Sequence, residues 1–495
     1  MSSSVEVPKT SNGEIQELTS FELQLVQPVA KGSPANFRRV VAAVEVVADI
    51  LTIAIAIRFG YLVYGTTAIG KHVNIPHRLV WSGACILAVV MVLMLDRVGA
   101  YRRGNSLLRV RETEQILRVS AQALVAVLAF SVFARVLVPR WLLILCFSLV
   151  PLFLFVEKTL LYSFTHLLHS RGYGNERVLI YGAGCTGRRV FSVLRNSPKL
   201  GLVPVAVVDD DRSKVGGTVF ELAYERRSSA RIIEGPVTRE LIAAYDVDLV
   251  IIAIPTVGRE RFAYTVEEAL AANARVSFVP NHLLSLDSWL DYRDLDGILL
   301  ASFGKPASRF GYELAKRTLD FMGAVLLTSL CAPVFVVLAI LIKLDSKGPV
   351  VFQQERIGQN GKPFRMYKFR SMHVSAPAYA YSPRESCDPR ITRIGRFLRK
   401  SSLDELPQLF NVLQGSMSLV GPRPEMSFIV QEYSHRHRQR LQVKPGLTGL
   451  WQLSGDRAFR IHENMEYDVY YIQHRNFFMD LAILLHTSIY AMRGI

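Results

Sequence analysis

The chain has 495 residues, of which 50% are hydrophobic and 20% are charged, and its formal net charge is +16. A chain of this length is too long for one ordinary hydrophobic core, which argues against a single water-soluble domain. With half of its residues apolar, we expect several modules that include a membrane part. The basic residues flank apolar segments, which favours an anionic membrane surface over nucleic acid as their partner. Because the five cysteines lack paired spacing, we expect neither a disulfide framework nor a zinc site.

The N-terminal part of the chain is polar as far as residue 37, and four apolar runs follow it. Residues 1–37 lack the short apolar core of a secretory signal, so we expect a disordered tail. The runs predict a bundle of four transmembrane helices within residues 38–165, the two shorter ones being bounded by arginine or lysine side chains that can reach the interface. The runs are Val40–Tyr64, Leu79–Leu95, Val119–Ala134 and Trp141–Val156.

Charge predicts how these helices are oriented. Arginines cluster in the connection after the second run, whereas the first connection carries only Lys71 and Arg78. Since positive residues favour the cytoplasmic side, the N-terminus and everything after the fourth run should lie in the cytoplasm. Glu45 and Asp49 are four residues apart in the first run and share one helix face, which indicates either a functional pathway or a face turned into the bundle.

From about residue 175 the pattern changes to short buried strands separated by helices, which predicts a Rossmann-like, doubly wound parallel α/β domain at residues 172–300. Gly182, Gly184 and Gly187 form GxGxxG after the first strand, where a backbone can approach a pyrophosphate. Asp209 ends the second strand, where a ribose would bind. The same glycines also suit a tight turn and close helix packing, so nucleotide binding and a purely structural role both stay open.

A fifth apolar run, Phe321–Ile342, has basic residues at both ends and contains Pro333. Proline removes a helical hydrogen bond and clashes with the preceding turn. The pattern fits either a kinked transmembrane span or a helix–break–helix hairpin at residues 320–343 that enters and leaves by one face. We favour this re-entrant form, because a crossing would remove the polar C-terminal region from the cytoplasm.

Two adjacent acids, Asp404 and Glu405, precede Pro407, which is tolerated only near a helix start. Both should therefore lie near the positive end of the next helix, whose field favours an ionised, nucleophilic carboxylate. Ser402 and Glu405 also fit a capping box, in which the acids only stabilise the first turn. Nearby cations favour a diphosphate-binding role instead. These cations are Lys368, Arg370 and Arg423, the last of which stands between Pro422 and Pro424.

Three other segments of the C-terminal region carry recognisable patterns. Residues 391–400 predict an amphipathic helix at an anionic membrane surface. The run HRHRQR (435–440) alternates histidine with arginine, which favours a solvated or phosphate-facing surface over a metal site. The late apolar segment 476–494 fits either a membrane anchor or a core helix.

With these motifs in view, the chain resembles the polyprenyl-phosphate hexose-1-phosphate transferases, the monotopic phosphoglycosyl transferases of bacterial glycoconjugate pathways. The four spans and the Rossmann-like module are similar to the larger members of that family. One departure is Ala332, where related sequences often have serine before the proline. The matching motifs are KRTLD (316–320), QERIG (354–358), YKFRSM (367–372), SLDELPQLFNVLQGSMSLVGPRPE (402–425), KPGLTGLWQLSG (444–455) and YDVYY (467–471).

The resemblance implies a catalytic domain at residues 312–495 that transfers a hexose 1-phosphate from a UDP-sugar, such as UDP-glucose or UDP-galactose, to undecaprenyl phosphate with release of UMP. This would be the first membrane step of exopolysaccharide, capsule or O-antigen biosynthesis, on the cytoplasmic face of the bacterial inner membrane. We also expect contact with membrane lipid, a homodimer and no nucleic-acid partner.

By position, the resemblance implies that Asp404 is the nucleophile, Glu405 its partner acid and Arg423 an essential cation. It also implies Mg²⁺, with Glu405 and Asp480 as candidate ligands, and it places the re-entrant break at Pro333. Further substrate contacts are expected at Lys316, Arg317, Lys368, Arg370, Pro422, Pro424, Thr448 and Asp468.

Two other functions fit parts of the sequence. Tyr312 and Lys316 imitate the Tyr-Lys pair of short-chain dehydrogenases, so a membrane-tethered NAD-dependent nucleotide-sugar dehydratase or oxidoreductase is the first alternative. A non-catalytic scaffold or transporter is the second. It leaves the acidic pair and its surrounding cations without a role.

Overall fold

The computed structural model falls into two compact units, one made of Met1–Val92 with Pro139–Asp287 and the other of Leu93–Val138 with Ser288–Ile495. The first helix begins at Pro34, inside the predicted tail, and the tail before residue 33 lies outside the described residues. The structure describes residues 33–67, 76–101, 108–133, 135, 138–196, 200–219, 230–254, 258–279, 289–295, 298–304, 310–377, 388–433, 437–453 and 465–492.

The four predicted apolar runs are confirmed as helices, each long and apolar enough to cross a membrane. The third helix begins eleven residues before its apolar run, so Arg109 and Arg111 belong to a helix and not to a loop. The fourth continues well past Val156. The helices are α1 (Pro34–Thr66), α2 (His77–Arg97), α3 (Leu108–Phe133) and α4 (Arg140–Ser170).

Charged side chains join α1 to α4. Lys158 Nζ lies 2.9 Å from Glu45 Oε1 and 2.8 Å from Asp49 Oδ1, and Asp49 is fully buried. The shared face of the two acids is therefore turned into the helix pair, as the second interpretation held. The cation was missed because it lies beyond the predicted end of the fourth span. The four-helix bundle stays a prediction, since the packing described pairs α1 with α4 and α3 with the last helix of the chain.

The α/β domain is confirmed as a parallel sheet, of order β3-β4-β2-β1-β5-β6, with only β3 running antiparallel to its neighbour. Along β1, Leu179 and Tyr181 enter one apolar core while Val178 and Ile180 enter the other, so both faces of the sheet are covered. The strands are β1 (Glu176–Tyr181), β2 (Leu202–Asp209), β3 (Thr218–Val219), β4 (Ala230–Glu234), β5 (Leu249–Ile252) and β6 (Arg275–Phe278), and the helices are α5 (Cys185–Asn196), α6 (Arg239–Ala244) and α7 (Arg259–Ala271).

The C-terminal region is mostly helical, with three two-stranded sheets. Its main core forms where α10, β11 and α14 meet, around Leu409, Leu419 and Ile483. The elements are β7 (Trp289–Leu295), β8 (Ile298–Gly304), α8 (Phe310–Asp345), β9 (Val351–Ile357), β10 (Pro363–Phe369), α9 (Arg393–Lys400), α10 (Gln408–Gln414), β11 (Ser418–Val420), α11 (Ser427–Gln431), β12 (Gly446–Thr448), α12 (Leu450–Leu453), α13 (Met465–His474) and α14 (Phe477–Met492).

Helix α14 resolves one of the open alternatives, because it is a core helix. Met479 and Ile483 are buried in the main core. On its other side α14 packs against α3, where His486 Nε2 lies 2.9 Å from the Thr113 hydroxyl in a buried contact. The first turns of α3 therefore pack against α14.

Helix α8 runs through Pro333 without interruption, so no gap in the helix marks the predicted hairpin. In its first half, Asp320 is buried and Ala324 lies in the main core. Near its end, Leu338 and Ile342 are buried in a second core. Between these two docked ends the helix is apolar and exposed, as at Leu330, which is 71% exposed. Same-face exit from a membrane stays a prediction.

Candidate active site

The acidic pair lies in a short 3-10 turn, Leu403–Glu405, which directly precedes α10. Ser402 before it adopts φ 56°, a left-handed conformation that costs a non-glycine residue about 1–2 kcal/mol. Its side chain makes no capping hydrogen bond, so the capping-box alternative is wrong. Strain of this kind persists where surrounding structure imposes it, and functional sites are common places for it.

Two cations bind the carboxylate of Glu405. Lys368 Nζ donates to Glu405 Oε1 at 2.8 Å, and Arg423 Nη2 donates to the same oxygen at 2.7 Å. Burial raises the pKa of Glu405, but the charges of Arg423 and Lys368 and their hydrogen bonds outweigh it and hold that pKa well below its usual range. Glu405 is therefore ionised and fixed in place.

Asp404 has a different environment. Among the residues that the structure describes, none forms a hydrogen bond or an ion pair with its carboxylate. Burial raises the pKa of Asp404 and the charge of Glu405 adds to this effect, while the cations Lys368, Arg423 and Arg399 act against it. The helix field was expected to favour the ionised form of both acids, but the net shift in pKa is upward for Asp404. This carboxylate is thus surrounded by cations without being bound to one.

Arg399 was not singled out from the sequence, although it belongs to the basic side of the predicted amphipathic helix. In α9, Leu398 is fully buried against the protein while Phe397 is 56% exposed. The helix therefore packs one apolar side chain inward and leaves another exposed, and its predicted place at a membrane surface stays a prediction. Arg399 lies only five residues before Asp404 in the sequence, and this short separation could have placed it at the site.

The proline-flanked segment that carries Arg423 lies between β11 and α11. Pro422 O accepts a hydrogen bond from Gly446 N at 2.8 Å, and Pro424 O accepts one from Arg356 Nη1 at 3.4 Å. Both prolines thus act here through their carbonyl groups. Burial lowers the pKa of Arg356 to about 10, and sequence reasoning gave this arginine no role beyond its motif.

Two predicted substrate contacts instead cap helices. Arg317 donates to Val412 O at 2.8 Å and to Leu413 O at 3.0 Å, at the end of α10. Arg370 donates to Ser346 O at 2.6 Å and to Lys347 O at 2.9 Å, at the end of α8. Carbonyls at a helix end lack partners within the helix, and arginines commonly satisfy them. Both arginines are thus engaged by backbone carbonyls, and the substrate contacts expected of them stay a prediction.

Asp480 and Lys316 form a closed cluster. Asp480 is 0% exposed and Lys316 is 8% exposed. Asp480 Oδ2 accepts from Lys316 Nζ at 3.0 Å and from the Tyr312 hydroxyl at 2.8 Å, and its Oδ1 accepts from the Tyr471 hydroxyl at 2.7 Å. Lys316 also donates to Val420 O at 3.0 Å. A substrate role for Lys316 and a metal role for Asp480 are both opposed by these contacts.

The two ligands predicted for magnesium, Glu405 and Asp480, are both engaged by protein groups. Within the described ranges, no three histidine, cysteine, aspartate or glutamate side chains lie together as metal ligands. One oxygen of Glu405 is shared by two cations, and both oxygens of Asp480 are engaged. Mg²⁺ therefore stays an untested prediction, with substrate oxygens as its more usual ligands.

Thr448 and Asp468 also lie in the interior. The Thr448 hydroxyl is 2.7 Å from that of Thr487. Asp468 Oδ2 lies 2.7 Å from Arg440 Nε, and both side chains are buried. Both side chains predicted to contact substrate, those of Thr448 and Asp468, are therefore buried and bonded to protein groups. Arg440 was predicted to be solvated or phosphate-facing as part of HRHRQR, and its burial shows that this was wrong.

Comparison with known proteins accounts for this arrangement. A family model described as bacterial sugar transferase matches residues 311–494. UDP-glucose:undecaprenyl-phosphate glucose-1-phosphate transferase from Escherichia coli is 31% identical over 65% of this chain and 68% of its own length. The chain belongs to the bacterial sugar transferase family. The resemblance drawn from the sequence motifs is thus confirmed.

Two further relatives of this sugar transferase differ in how much of it they match. Undecaprenyl-phosphate galactose phosphotransferase from Salmonella typhimurium is 29% identical over 77% of this chain and 81% of its own length. UDP-glucose:undecaprenyl-phosphate glucose-1-phosphate transferase from Caulobacter vibrioides is 43% identical, over 37% of this chain and 72% of its own length. The second match is closer in sequence but covers about half as much of this chain as the first.

The glycine loop of the transferase's α/β domain serves its own packing. Gly182 has φ 114°, and a Cβ on Gly187 would lie 1.7 Å from Gly182 O. Asp209 Oδ2 accepts from Ala183 N at 2.7 Å, and Lys214 Nζ lies 3.3 Å from the same oxygen. The carboxylate of Asp209, which was predicted to bind a ribose, is thus bonded to groups of its own domain. These contacts favour the structural interpretation, and a third glycine, Gly184, has open space beside it.

The oxidoreductase alternative loses its catalytic pair in this structure. The Tyr312 hydroxyl and the Lys316 ammonium both bind Asp480, beneath the catalytic domain's surface. Short-chain dehydrogenases need such a pair to face a substrate, and here it faces a carboxylate. The resemblance of Tyr312 and Lys316 to a catalytic motif is therefore coincidental.

Proposed function

We propose that this transferase moves a hexose 1-phosphate from a UDP-hexose to undecaprenyl phosphate, through a covalent intermediate on Asp404. Its curated relatives are named for the transfer of glucose 1-phosphate or galactose phosphate to undecaprenyl phosphate. The observation that carries the mechanism is the difference between the two adjacent acids. Glu405 is bonded to Lys368 and Arg423, whereas none of the described residues bonds to the carboxylate of Asp404.

In the first step, a carboxylate oxygen of Asp404 forms a bond to the sugar-linked phosphorus of the UDP-hexose. The bond between that phosphorus and the bridging oxygen breaks, and UMP leaves with the oxygen and its electron pair. Negative charge on the phosphoryl oxygens is stabilised by Lys368 and Arg423, which Glu405 holds in place. An aspartyl phosphosugar remains on the enzyme.

In the second step, a phosphate oxygen of undecaprenyl phosphate attacks the phosphorus of this intermediate. The acyl phosphate bond breaks, and Asp404 regains its carboxylate. The pKa of Asp404 is shifted upward, and this shift bears on the first step. A carboxylate that burial destabilises is more basic and is therefore a stronger nucleophile towards phosphorus. The product is an undecaprenyl diphosphate sugar, the starting unit for a surface polysaccharide.

We place the active site at the cytoplasmic face of the inner membrane, where UDP-sugars are made. In this arrangement α1 to α4 anchor the chain, the α/β domain ends by Asp287, short of the predicted residue 300, and the catalytic domain occupies residues 312–495. A re-entrant α8 is supported by its exposed apolar middle and by the docking of both its ends on the catalytic domain. A single crossing would place those ends on opposite sides of the membrane.

The transfer can be tested with purified full-length protein in nanodiscs that contain undecaprenyl phosphate. Labelled UDP-glucose, UDP-galactose and their N-acetylated relatives are supplied with Mg²⁺. The proposal predicts UMP release with label entering the lipid fraction. An NAD-dependent change of the soluble sugar without lipid labelling would support the oxidoreductase, and folded protein without any turnover on these donors would support the scaffold.

A further inference from the structure

Two buried arginines hold the segment that carries Arg423. Residues 421–426 between β11 and α11 form no strand or helix of their own. Arg440 Nη2 donates to Arg423 O at 3.2 Å, and Arg356 Nη1 donates to Pro424 O at 3.4 Å. Backbone hydrogen bonds hold the carbonyls on either side, from Gly446 N to Pro422 O at 2.8 Å and from Ile357 N to Glu425 O at 2.9 Å, so the two arginines satisfy the carbonyls that lie between them.

Arg440 is itself fixed on each edge of its guanidinium group. Its Nε lies 2.7 Å from Asp468 Oδ2, and its Nη1 donates to the Tyr433 hydroxyl at 2.7 Å. The group lies 5.9 Å from the centre of the Tyr433 ring, and Arg440 as a whole is only 4% exposed. Since a guanidinium is planar and rigid, fixing two edges also fixes the third, which points at Arg423 O.

Charges in this cluster are balanced. Glu425 Oε2 lies 3.8 Å from Arg356 Nη1, and Glu425 Oε1 lies 4.0 Å from Arg440 Nη1. With Asp468 on Arg440 and Glu405 on Arg423, three carboxylates face three guanidinium groups. A lysine in place of Arg440 would keep this balance but would lose the fork that forms an ion pair with Asp468 and hydrogen bonds with Tyr433 and the Arg423 carbonyl.

We propose that Arg440, oriented by Asp468 and Tyr433, is a positioning residue for Arg423 in the transfer reaction. It holds the Arg423 carbonyl, and through it the guanidinium that contacts Glu405 beside Asp404. This inference rests on the proposed function. It gives Asp468 a role three contacts away from the substrate, in place of the direct substrate contact predicted from its motif.

The test is a double-mutant cycle on full-length protein in nanodiscs, with UMP release as the assay. Arg440→Lys is made in the wild-type background and in an Arg423→Lys background. In wild type we expect kcat to fall about 100-fold with KM within about threefold, because displacement of a group by about 1 Å can cost this much. In the Arg423→Lys background we expect less than about threefold, because the guanidinium to be placed is already gone.

A matched control is Arg212→Lys, which alters an exposed pair at 2.8 Å from Glu234 in the other unit. It should leave kcat unchanged. Equal losses from Arg440→Lys in both backgrounds would overturn the proposal, because they would show an effect that does not pass through Arg423.

Tyr433→Phe keeps the inference open to refutation if Arg440→Lys does not fold. It removes one hydroxyl from Arg440 and preserves the ring. We expect kcat to fall about tenfold in wild type, as for loss of one buried hydrogen bond, and to change less than about threefold with Arg423→Lys. Equal losses would again overturn the inference. Wild-type protein without UMP release would instead overturn the proposed function itself.

Discussion

Two clusters of acids and cations lie in the catalytic domain, and they differ in whether a carboxylate is left unbonded. Around Asp480, both oxygens are engaged, by Lys316 and by the hydroxyls of Tyr312 and Tyr471. In the turn before α10, Glu405 is engaged in the same way, but none of the described residues bonds to the carboxylate of Asp404. The residue types are alike in both places. The unbonded acid is what distinguishes a candidate nucleophile from a structural ion pair.

The largest effect should come from Asp404→Asn. Without a carboxylate to attack phosphorus, UMP release should fall by about 10⁴-fold or more, as for loss of other catalytic nucleophiles. Asp211→Asn, an exposed aspartate in the α/β domain, is the matched control and should retain full activity. If folded Asp404→Asn protein turned over within tenfold of wild type, the unbonded carboxylate would not be the nucleophile.

Asp480→Asn should act on stability instead. It breaks the buried ion pair of Asp480 with Lys316, and breaking such a pair typically costs about 3–5 kcal/mol. Thermal unfolding in nanodiscs should show a clearly lowered midpoint, while activity per folded molecule stays within about threefold. A normal midpoint with lost activity would show that Asp480 belongs to the chemistry, as the sequence motifs had implied.

The two adjacent acids should also respond to pH in opposite ways. The pKa of Glu405 is lowered by folding, so its contribution to stability is present above the unfolded pKa near 4.3 and is lost as pH falls through the folded value. The stability advantage of wild type over Glu405→Gln should therefore shrink below about pH 4. An advantage that is constant from pH 7 to pH 3 would contradict the ion pairing.

For Asp404 the sign is reversed, because folding raises its pKa. Its ionised form costs stability above the unfolded pKa near 3.9, and this cost disappears once pH falls below that value. Asp404→Asn should therefore be more stable than wild type at neutral pH, and the difference should shrink on acidification. Unfolding midpoints measured over the same pH series check this. A variant less stable than wild type at pH 7 would contradict it.

The smallest catalytic effect should come from the glycine loop of the α/β domain. In Gly187→Ala the new methyl group would meet Gly182 O, so the domain should lose about 1–3 kcal/mol by overpacking. UMP release should change less than about twofold, because the loop packs within the α/β domain and takes no part in the proposed transfer at Asp404. Proteolysis of the α/β domain measures the first effect, and the transfer assay measures the second.

Periodicity located most of the fold, because apolar runs and buried strands are properties of local sequence. It found the four long apolar helices and the parallel sheet, but it ended the fourth apolar run at Val156 and so missed Lys158, the partner of Asp49. Helix α3 was shortened for a similar reason. Its first turns are polar, so no apolar run marks them in the sequence. They are helical in the structure, where the helix packs on α14.

The site was harder to predict, because sequence shows which residues are charged but not which atoms they bond. Arg317 and Arg370 were taken for substrate contacts, yet both satisfy carbonyls at helix ends. Arg440 was read as a surface residue because its neighbours are polar, although it is buried. Lys368 and Arg423 do lie beside the acidic pair as expected, and both donate to Glu405.

The most direct test of the covalent step uses wild-type protein and labelled UDP-hexose in the absence of undecaprenyl phosphate. After rapid denaturation, peptides are analysed by mass spectrometry for an added hexose phosphate. The account predicts the modification on Asp404, with stoichiometric UMP release and loss of the label when undecaprenyl phosphate is added. A modification on Glu405, or full turnover by protein that never carries the label, would contradict it.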